Sequence, residues 1–284
     1  EKAFELIEKE RVTYVSTIPT LLVRMMTSPL REKYDISSLR AIRTGTAALA
    51  PSVAQEAEDK LHCYVIPAGG SVEASFASTA VDDPPEVRYY TVGKVSFGNE
   101  IRIVDDDGRP RAMGDVGELW VRGAASSAGY YRDVVATLQA WGELGREGWF
   151  RTGDLAQLDE QGNLSLVGRK KNIIIRGGQN IYPQEIEAAL INHPSISEVA
   201  LIGMPDPVMG ERACAYVAVK PGKAVTFEGI VAFLKKKEIA PYKLPERLEV
   251  VERLPMLVDG QKVDRRALAQ DITQKLAKEG NLAV

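Results

Sequence analysis

The segment RTGDLAQLDEQGNLSLVGRKKN, residues 151–172, places a carboxylate and a dense basic cluster on either side of a short hairpin pattern. Asp154 is expected to close the first strand, and Arg169, Lys170 and Lys171 follow the second. A carboxylate can accept hydrogen bonds from both hydroxyls of a ribose, as acidic residues do in dinucleotide sites. Arginine suits a phosphate because its planar guanidinium makes paired, charge-assisted hydrogen bonds. The segment allows two interpretations: a solvated turn and charge run, or a ribose and phosphate site beside a hinge.

Two loops of small residues offer a second kind of chemistry. Gly45-Thr46-Ala47-Ala48 follows the short strand pattern AIRTG, and AGGSVEAS, residues 68–75, follows the strand pattern CYVIPA. A loop without large side chains lets the backbone approach a planar ring or a phosphate closely. The first loop is weakly specific, and a simple turn is an equally good interpretation of it.

The elements that must position these residues change in character twice along the chain. Residues 1–88 alternate strand and helix patterns, which predicts a parallel sheet whose carboxyl-end loops are available for ligands. Residues 89–168 contain short β segments separated by Gly, Asp and Pro, which predicts an antiparallel or barrel-like subdomain. Residues 169–284 combine a hairpin around Gly177-Gly178 with helices and strands, which predicts a compact α+β domain.

Composition and charge exclude several classes of protein. The chain has 284 residues, 45% hydrophobic and 26% charged, with a net charge of −3 that gives no indication of a nucleic-acid partner. Its apolar runs are too short to span a bilayer, and its charged start is unlike a secretory signal. Two cysteines and two histidines make neither a disulfide framework nor a zinc site. We therefore expect a cytoplasmic protein.

Five motifs carry a resemblance to a known family. In chain order they are GELWVRG, GYYRD, GWFRTGDL, GRKKNIIIRGGQNIYPQEIE and LPMLVDGQKVDRRAL. This order resembles AMP-forming acyl-CoA synthetases, whose superfamily includes acyl- and aryl-CoA ligases, peptide-synthetase adenylation domains and firefly luciferase. The resemblance covers essentially the whole chain, and several ordered motifs are a far stronger signal than one Gly-rich loop. It implies the C-terminal part of a large α/β domain followed by a small, mobile α+β domain.

The resemblance assigns a role to each residue of the opening segment. It implies that Asp154 binds the ribose hydroxyls of AMP and that Arg169 contacts its ribose and phosphate. Lys171 matches the hinge about which the small domain rotates between adenylation and thioester formation. Gly177 and Gly178 match a pair beside the pantetheine tunnel, and a hairpin that needs positive φ is compatible with that role.

The second small-residue loop matches the family only in part. Glu73 and Gly70 match an aromatic-Gly-x-Thr-Glu pattern, whose Glu helps to hold Mg²⁺ against the nucleotide phosphates. Gly69 stands in place of the aromatic residue that stacks on adenine, and Val72 in place of the Thr that contacts phosphate. The resemblance also implies an adenine-flanking segment, which consists of Gly45, Thr46 and Ala47.

A catalytic lysine is expected near the C-terminus, where the family uses it to stabilise charge on the carboxylate and the α-phosphate. The segment DGQKVDRR is one residue longer than the usual spacing. Counting back from VDRR gives Lys262, and counting forward from Leu254-Pro255 gives Gln261. We assign the role to Lys262 because only its side chain carries the required charge, although a lone loop lysine is more often solvated.

The family's phosphate-binding loop, rich in Ser, Thr and Gly and followed by Pro-Lys-Gly, has no counterpart in this sequence. We therefore expect the chain to be the C-terminal part of a longer enzyme and to be inactive in adenylation by itself.

The expected function is that of an AMP-forming acid–thiol ligase, which activates a carboxylic acid with Mg·ATP and transfers the acyl group to CoA. DDPPEVRYYTVGKV and NEIRIVDDDGRP resemble the aryl-acid branch, whereas GGQNIYPQEIE resembles general acyl-CoA ligases. One alternative is an aryl-acid AMP ligase, similar to 2,3-dihydroxybenzoate–AMP ligases, that loads a carrier protein. Another is a non-catalytic relative that binds an acyl group or a nucleotide. A monomer or homodimer is expected.

Overall fold

A computed structural model of the chain describes residues 2–46, 49–142, 148–257 and 262–280. The chain folds into two compact units, Glu1–Leu166 and Val167–Val284. Four clusters of buried apolar side chains form the cores, and each cluster lies within one unit. Each unit therefore has a hydrophobic core of its own.

The first unit begins with alternating helices and strands. These elements are α1 (Lys2–Glu10), β1 (Tyr14–Thr17), α2 (Pro19–Thr27), β2 (Ala41–Thr44), α3 (Pro51–Leu61), β3 (Tyr64–Gly70), β4 (Ser75–Ser78), α4 (Pro85–Tyr90) and β5 (Lys94–Val95). They form a five-stranded sheet in the order β1-β2-β3-β4-β5. The strands β1, β2 and β3 are parallel, as predicted, and β4 and β5 extend the sheet in antiparallel fashion.

The sequence of α3 explains where the helix begins and which of its faces is buried. Pro51 occupies the first turn of this helix, where its missing N–H costs nothing. Ala54, Ala57 and Leu61 then recur at helical spacing and are buried in a cluster with Ile42 of β2. The helix thus packs on the parallel strands β2 and β3.

The second part of the first unit is built mainly from strands. Its elements are β6 (Asn99–Val104), β7 (Gly117–Gly123), α5 (Val134–Trp141), β8 (Phe150–Leu158) and β9 (Leu164–Arg169). The strands form a four-stranded sheet in the order β6-β7-β8-β9, and the first two pairs are antiparallel. Among the described residues β6 and β9 are not paired with each other, so the predicted β-rich subdomain is a sheet and not a closed barrel.

The second unit is an α+β domain, as the sequence predicts. Its elements are β10 (Ile174–Arg176), β11 (Gln179–Ile181), α6 (Pro183–Leu190), β12 (Ile196–Asp206), β13 (Gly210–Val219), α7 (Phe227–Lys236), β14 (Arg247–Val251) and α8 (Arg265–Lys278). The sheet order is β11-β10-β13-β12, with β14 paired in parallel to β13.

Strand β13 has helices on both of its faces. Ala213, Ala215 and Val217 pack in the cluster that contains residues of α6 and α7. The alternate residues Cys214 and Tyr216 pack in the cluster that contains residues of α8. This period-two alternation explains why the strand has a nearly continuous apolar sequence, since both of its faces are buried.

The division between the units falls within β9, after Leu166. The boundary predicted from the sequence, at residue 169, remains a prediction. In the described part of the chain, no helix is long and apolar enough to cross a membrane.

Candidate functional site

The two small-residue loops meet at one edge of the first sheet. Because β2 and β3 are parallel and Thr44 pairs with Pro67, the residues that follow them lie side by side. A Cβ added to Gly45 would lie 3.1 Å from the carbonyl oxygen of Ala68, so the two backbones approach closely there. The carboxyl ends of parallel strands are where open α/β sheets bind ligands. Of the predicted nucleotide residues, Gly45 thus lies beside Ala68, with Thr46 next to it and Gly70 two residues further along β3, and Ala47 lies outside the described residues.

Thr46 has an unusual backbone conformation, with φ of 72°. A β-branched residue rarely adopts positive φ, and such strain clusters at binding sites and active sites. The side chain is exposed at the sheet edge.

The second loop is a tight hairpin turn between β3 and β4. The Ser71 N–H donates to the carbonyl of Ala74 over 2.8 Å, and the Ser71 hydroxyl accepts the N–H of Glu73 over 3.2 Å. Strand β3 continues two residues beyond the predicted strand, to Gly70. This turn places Val72 and Glu73 at its tip, where the Val72 side chain is 100% exposed.

The Glu73 carboxylate is held by a residue that sequence reasoning did not single out. The Tyr130 hydroxyl donates to Glu73 Oε1 over 2.9 Å, and the Ser127 N–H donates to the Glu73 carbonyl over 2.7 Å. Burial, followed by the hydrogen bond to Glu73, raises the pKa of Tyr130. A single carboxylate held in this way suits Mg²⁺, which takes one or two carboxylates and keeps several waters.

The departure from the family pattern at Gly69 has a packing cause. A Cβ at this position would overlap Cε2 of Phe76 and lie 3.0 Å from its Cδ2. Phe76 is fully buried in the core of the first unit. No side chain fits at position 69 while the Phe76 ring stays in place.

Asp154 lies inside β8, so our expectation that it closes a strand was wrong. Arg151 pairs with Trp120 and Leu155 pairs with Glu118, which leaves three residues of β8 opposite Leu119 alone. Such a bulge redirects side chains, and bulges are common next to active sites. The Thr152 hydroxyl fixes the bulge because it donates to the Leu119 carbonyl over 2.8 Å and accepts the Asp154 N–H over 3.0 Å.

Glycine and burial complete the arrangement around Asp154. Gly153 has φ of 69°, a conformation that favours glycine, so the RTGD sequence is needed for this backbone. The side chain of Asp154 is buried, with 8% exposure. A carboxylate that is this buried is not a solvated turn residue, and its role with ribose remains a prediction.

The basic residues of the opening segment lie in the second unit. Arg169 is half-buried and ends β9 in an extended conformation, with φ of −111° and ψ of 131°. Lys171 is exposed and lies in a short 3-10 helix, Lys170–Asn172. The roles predicted for these two residues remain predictions.

Gly177 and Gly178 form the predicted hairpin with positive φ, at 55° and 82°. Arg176 pairs with Gln179 directly across the two glycines, which is the geometry of a two-residue hairpin. The Gly177 N–H donates to the Met209 carbonyl over 2.8 Å, so the hairpin packs on the turn between β12 and β13. The backbone requirement is thus confirmed, and the role beside a thiol stays a prediction.

Lys262 is exposed at the base of a loop whose tip, with Gln261, lies outside the described residues. The Leu257 N–H donates to the Lys262 carbonyl over 2.8 Å, and Met256 pairs with Val263. The two described ends of the loop are therefore paired, and its exposed lysine remains the predicted catalytic residue.

An ion pair anchors the chain just after this loop. Arg265, the first residue of α8, forms an ion pair with Glu187 of α6, in which Nη2 donates to both carboxylate oxygens over 2.6 and 2.7 Å. It also donates to the Leu201 carbonyl of β12 over 2.9 Å. These contacts join α8 to α6 and β12 directly after the loop that carries Lys262.

Neither cysteine supplies a nucleophile. Cys63 and Cys214 are both buried, and burial raises the pKa of each thiol to about 12. Since the thiolate is the reactive form, these residues act as packing groups.

Two family models match the chain. The model of the AMP-binding enzyme matches residues 1–131, and that of the AMP-binding enzyme C-terminal domain matches residues 185–262. The 2-hydroxy-7-methoxy-5-methyl-1-naphthoate–CoA ligase of Streptomyces carzinostaticus is 37% identical over 94% of this chain and 48% of the relative. The 2,3-dihydroxybenzoate-AMP ligase of Bacillus subtilis is 33% identical over 97% of this chain and 50% of the relative.

Solved structures give the same result. The amide bond synthetase McbA of Marinactinospora thermotolerans superposes with a TM-score of 0.86 and 33% identity, over 96% of this chain and 54% of that one. The fold and the matched segments define a protein of the AMP-binding enzyme class. The chain belongs to the AMP-binding enzyme family, which confirms the resemblance seen in the sequence. It spans about half the length of the curated relatives that it matches.

Proposed function

We propose that the protein to which this chain belongs is an AMP-forming acid–thiol ligase that activates an aryl or acyl carboxylic acid with ATP and transfers it to CoA. The observation that carries this proposal is the meeting of two small-residue loops at the carboxyl edge of the parallel strands, with the Glu73 carboxylate at one tip. Family membership, and a CoA ligase and an AMP ligase among the relatives, support the same reaction.

The reaction has two displacement steps, and neither requires an oxidant or a reductant. In the first, a carboxylate oxygen of the acid attacks the α-phosphorus of ATP, the bond to the pyrophosphate oxygen breaks, and pyrophosphate leaves. In the second, the thiol sulfur attacks the acyl carbon, the bond to the AMP oxygen breaks, and the thiol proton passes to solvent. Bound Mg²⁺ would offset phosphate charge as pyrophosphate leaves.

Each candidate residue has a distinct task in the first step. Asp154 would accept the ribose hydroxyls, because its buried carboxylate is fixed by the bulge in β8. Glu73 would hold Mg²⁺, and Arg169 would contact the ribose and phosphate of the adenylate. Lys262 would place its charge against the carboxylate and α-phosphate, where negative charge develops.

The second step would use a different orientation of the C-terminal domain. We assign the change of backbone direction to Lys171, an exposed residue that can alter its dihedral angles without disturbing a core. Gly177 and Gly178 would then lie beside the incoming thiol, where their lack of side chains allows close approach.

Two alternatives are supported by particular observations. The 2,3-dihydroxybenzoate-AMP ligase among the relatives favours a carrier protein as acceptor in place of CoA. Gly69 and Val72, which replace the expected aromatic residue and threonine, favour a non-catalytic relative that binds a nucleotide or an acyl group.

The chain alone is proposed to be inactive in adenylation, because it has no counterpart of the family's Ser/Thr/Gly-rich phosphate loop. We also propose a reducing, cytoplasmic location, which the two free buried cysteines favour, and a monomeric or homodimeric enzyme.

The acceptor can be identified with the full-length protein that carries this chain. The protein is incubated with ATP, Mg²⁺ and pooled aryl or aliphatic acids, together with either CoA or a phosphopantetheinyl carrier protein, and thioesters are detected by mass spectrometry. Acid-dependent acyl-CoA and AMP are expected. Thioester on the carrier alone would select the carrier-loading alternative. Binding of a non-hydrolysable acyl-adenylate mimic without any turnover would select the non-catalytic relative.

A further inference from the structure

We propose that Tyr130 is a positioning residue for Glu73, whose hydroxyl orients the carboxylate toward the divalent cation of the nucleotide. The inference rests on the proposed function, in which Glu73 is the group that holds Mg²⁺. It assigns a task to the GYYRD motif, which the sequence analysis used only as a mark of the family.

The contact joins two segments that are far apart in the chain. Tyr130 Oη and Glu73 Oε1 are 2.9 Å apart, although 57 positions separate the two residues. Backbone contacts support the same approach, because Ala74 pairs with Ser126 and the Ser127 N–H donates to the Glu73 carbonyl over 2.7 Å. The carboxylate is therefore bound by a segment that is itself attached to the Glu73 turn.

The backbone of Tyr130 is fixed by the start of α5. Its N–H donates to the Thr137 hydroxyl over 2.9 Å, and that hydroxyl donates to the Asp133 carbonyl over 2.7 Å. The Asp133 carboxylate caps the helix by accepting the N–H of Ala136 over 2.9 Å. Gly129 has φ of 136°, a conformation that favours glycine. Tyr130 thus emerges from a rigid junction and not from a free loop.

The ring of Tyr130 contacts the core along one edge, although the residue is 41% exposed. It meets Trp141 edge to face, with centroids 5.4 Å apart and an interplanar angle of 78°. Trp141 is buried and packs on Phe150 at 4.7 Å. This contact favours one orientation of the ring and therefore of its hydroxyl.

A carboxylate whose rotamer is already restricted before metal binding loses less conformational entropy when it binds the ion. Groups that hydrogen-bond to a metal-binding side chain fix its orientation, and their loss typically reduces metal affinity by about 10–100-fold. Glu73 lies at the tip of a turn beside the fully exposed Val72, where an unrestrained carboxylate would sample many rotamers. The Tyr130 hydroxyl counteracts that freedom.

The test compares Tyr130→Phe with Tyr131→Phe in the full-length protein. Tyr131 is the adjacent tyrosine and is 86% exposed, so its variant removes a hydroxyl that has no described bond to Glu73. Binding of Mn²⁺ in the presence of ATP is measured by electron paramagnetic resonance, a readout that needs no turnover. The Mg²⁺ concentration for half-maximal ATP–pyrophosphate exchange is measured in parallel.

Tyr130→Phe is expected to weaken Mn²⁺ binding by about tenfold and to raise the Mg²⁺ requirement of exchange by a similar factor. The exchange rate at saturating Mg²⁺ and the thermal midpoint should remain close to those of the unaltered protein. Tyr131→Phe should match the unaltered protein throughout.

Three results would overturn the inference. These are equal Mn²⁺ affinities in the two variants, a loss of thermal stability in Tyr130→Phe with no change in cation affinity, and no ATP-dependent Mn²⁺ binding by the unaltered protein. If the unaltered protein binds Mn²⁺ and ATP but catalyses no exchange, the proposed function fails instead, and the comparison of Mn²⁺ affinities still decides the role of Tyr130.

Discussion

At the scale of single residues, the two candidate carboxylates are placed by irregular backbone and not by regular strands. Asp154 lies in a bulge that the Thr152 hydroxyl and Gly153 stabilise, and Glu73 lies in a turn that the Ser71 hydroxyl stabilises. The bulge redirects the side chain of Asp154, and the turn carries Glu73 at its tip. The binding roles of both carboxylates are those proposed above.

Lys262 gives the sharpest residue-scale prediction. In the full-length protein, Lys262→Ala should reduce the rate of adenylation by about 10²–10³-fold, because a charge aimed at the transition state is lost. Thioester formation from supplied acyl-AMP should be largely unchanged, since it would use the other domain orientation. The two half-reactions are measured separately by pyrophosphate exchange and by single-turnover thioester assays.

Lys223→Ala is the matched control, because Lys223 is exposed in a turn of the same unit. It should leave both half-reactions intact. An equal loss of both half-reactions in Lys262→Ala would contradict either the assignment of this lysine or the use of two domain orientations.

At the scale of elements, the same strands that build the cores also position the candidate residues. The carboxyl ends of β2 and β3 carry the two small-residue loops, while their interiors pack under α3. In the second unit, the Glu187–Arg265 pair joins α6 to the start of α8, next to the loop that carries Lys262. Packing and placement of the site are therefore properties of the same elements.

The contact between Gly69 and Phe76 leads to a prediction about stability. Gly69→Ala should destabilise the protein by about 1–3 kcal/mol, because the added methyl overlaps a ring that is fully buried. The free energy of unfolding is measured by urea denaturation. The same substitution in a Phe76→Leu background should cost less, since the ring atoms that it meets are gone. Equal costs in both backgrounds would show that Phe76 does not restrict position 69.

Regular elements were largely predictable from the sequence. The parallel strands β1 to β3 and the hairpin at Gly177-Gly178 follow local patterns of apolar residues, proline and glycine, and these predictions are confirmed. The bulge at Asp154 was missed because it depends on the register between β7 and β8, which local sequence does not determine.

Long-range side-chain contacts were not predictable. The Tyr130–Glu73 hydrogen bond joins residues 57 positions apart, and no periodic pattern relates them. The clash that a side chain at position 69 would make with Phe76 likewise depends on the register between β3 and β4. Family motifs identified the candidate residues, whereas the contacts that fix them required the folded chain.

At the scale of the whole molecule, the important feature is that each unit has cores of its own. All four buried apolar clusters lie within one unit or the other. A change of backbone direction at Lys171, as proposed for the catalytic cycle, would leave every cluster intact. This organisation suits an enzyme whose two half-reactions use different domain orientations.

The central claim is that the protein forms an acyl adenylate, and carboxylic-acid-dependent ATP–pyrophosphate exchange tests it most directly. Because the chain spans about half the length of its curated relatives, the measurement uses the full-length protein. Separate pools of aryl and aliphatic acids are supplied with Mg²⁺, ATP and labelled pyrophosphate. The account predicts that label enters ATP with one pool and not without acid. No exchange with any pool, from protein that is folded and binds ATP, would contradict it.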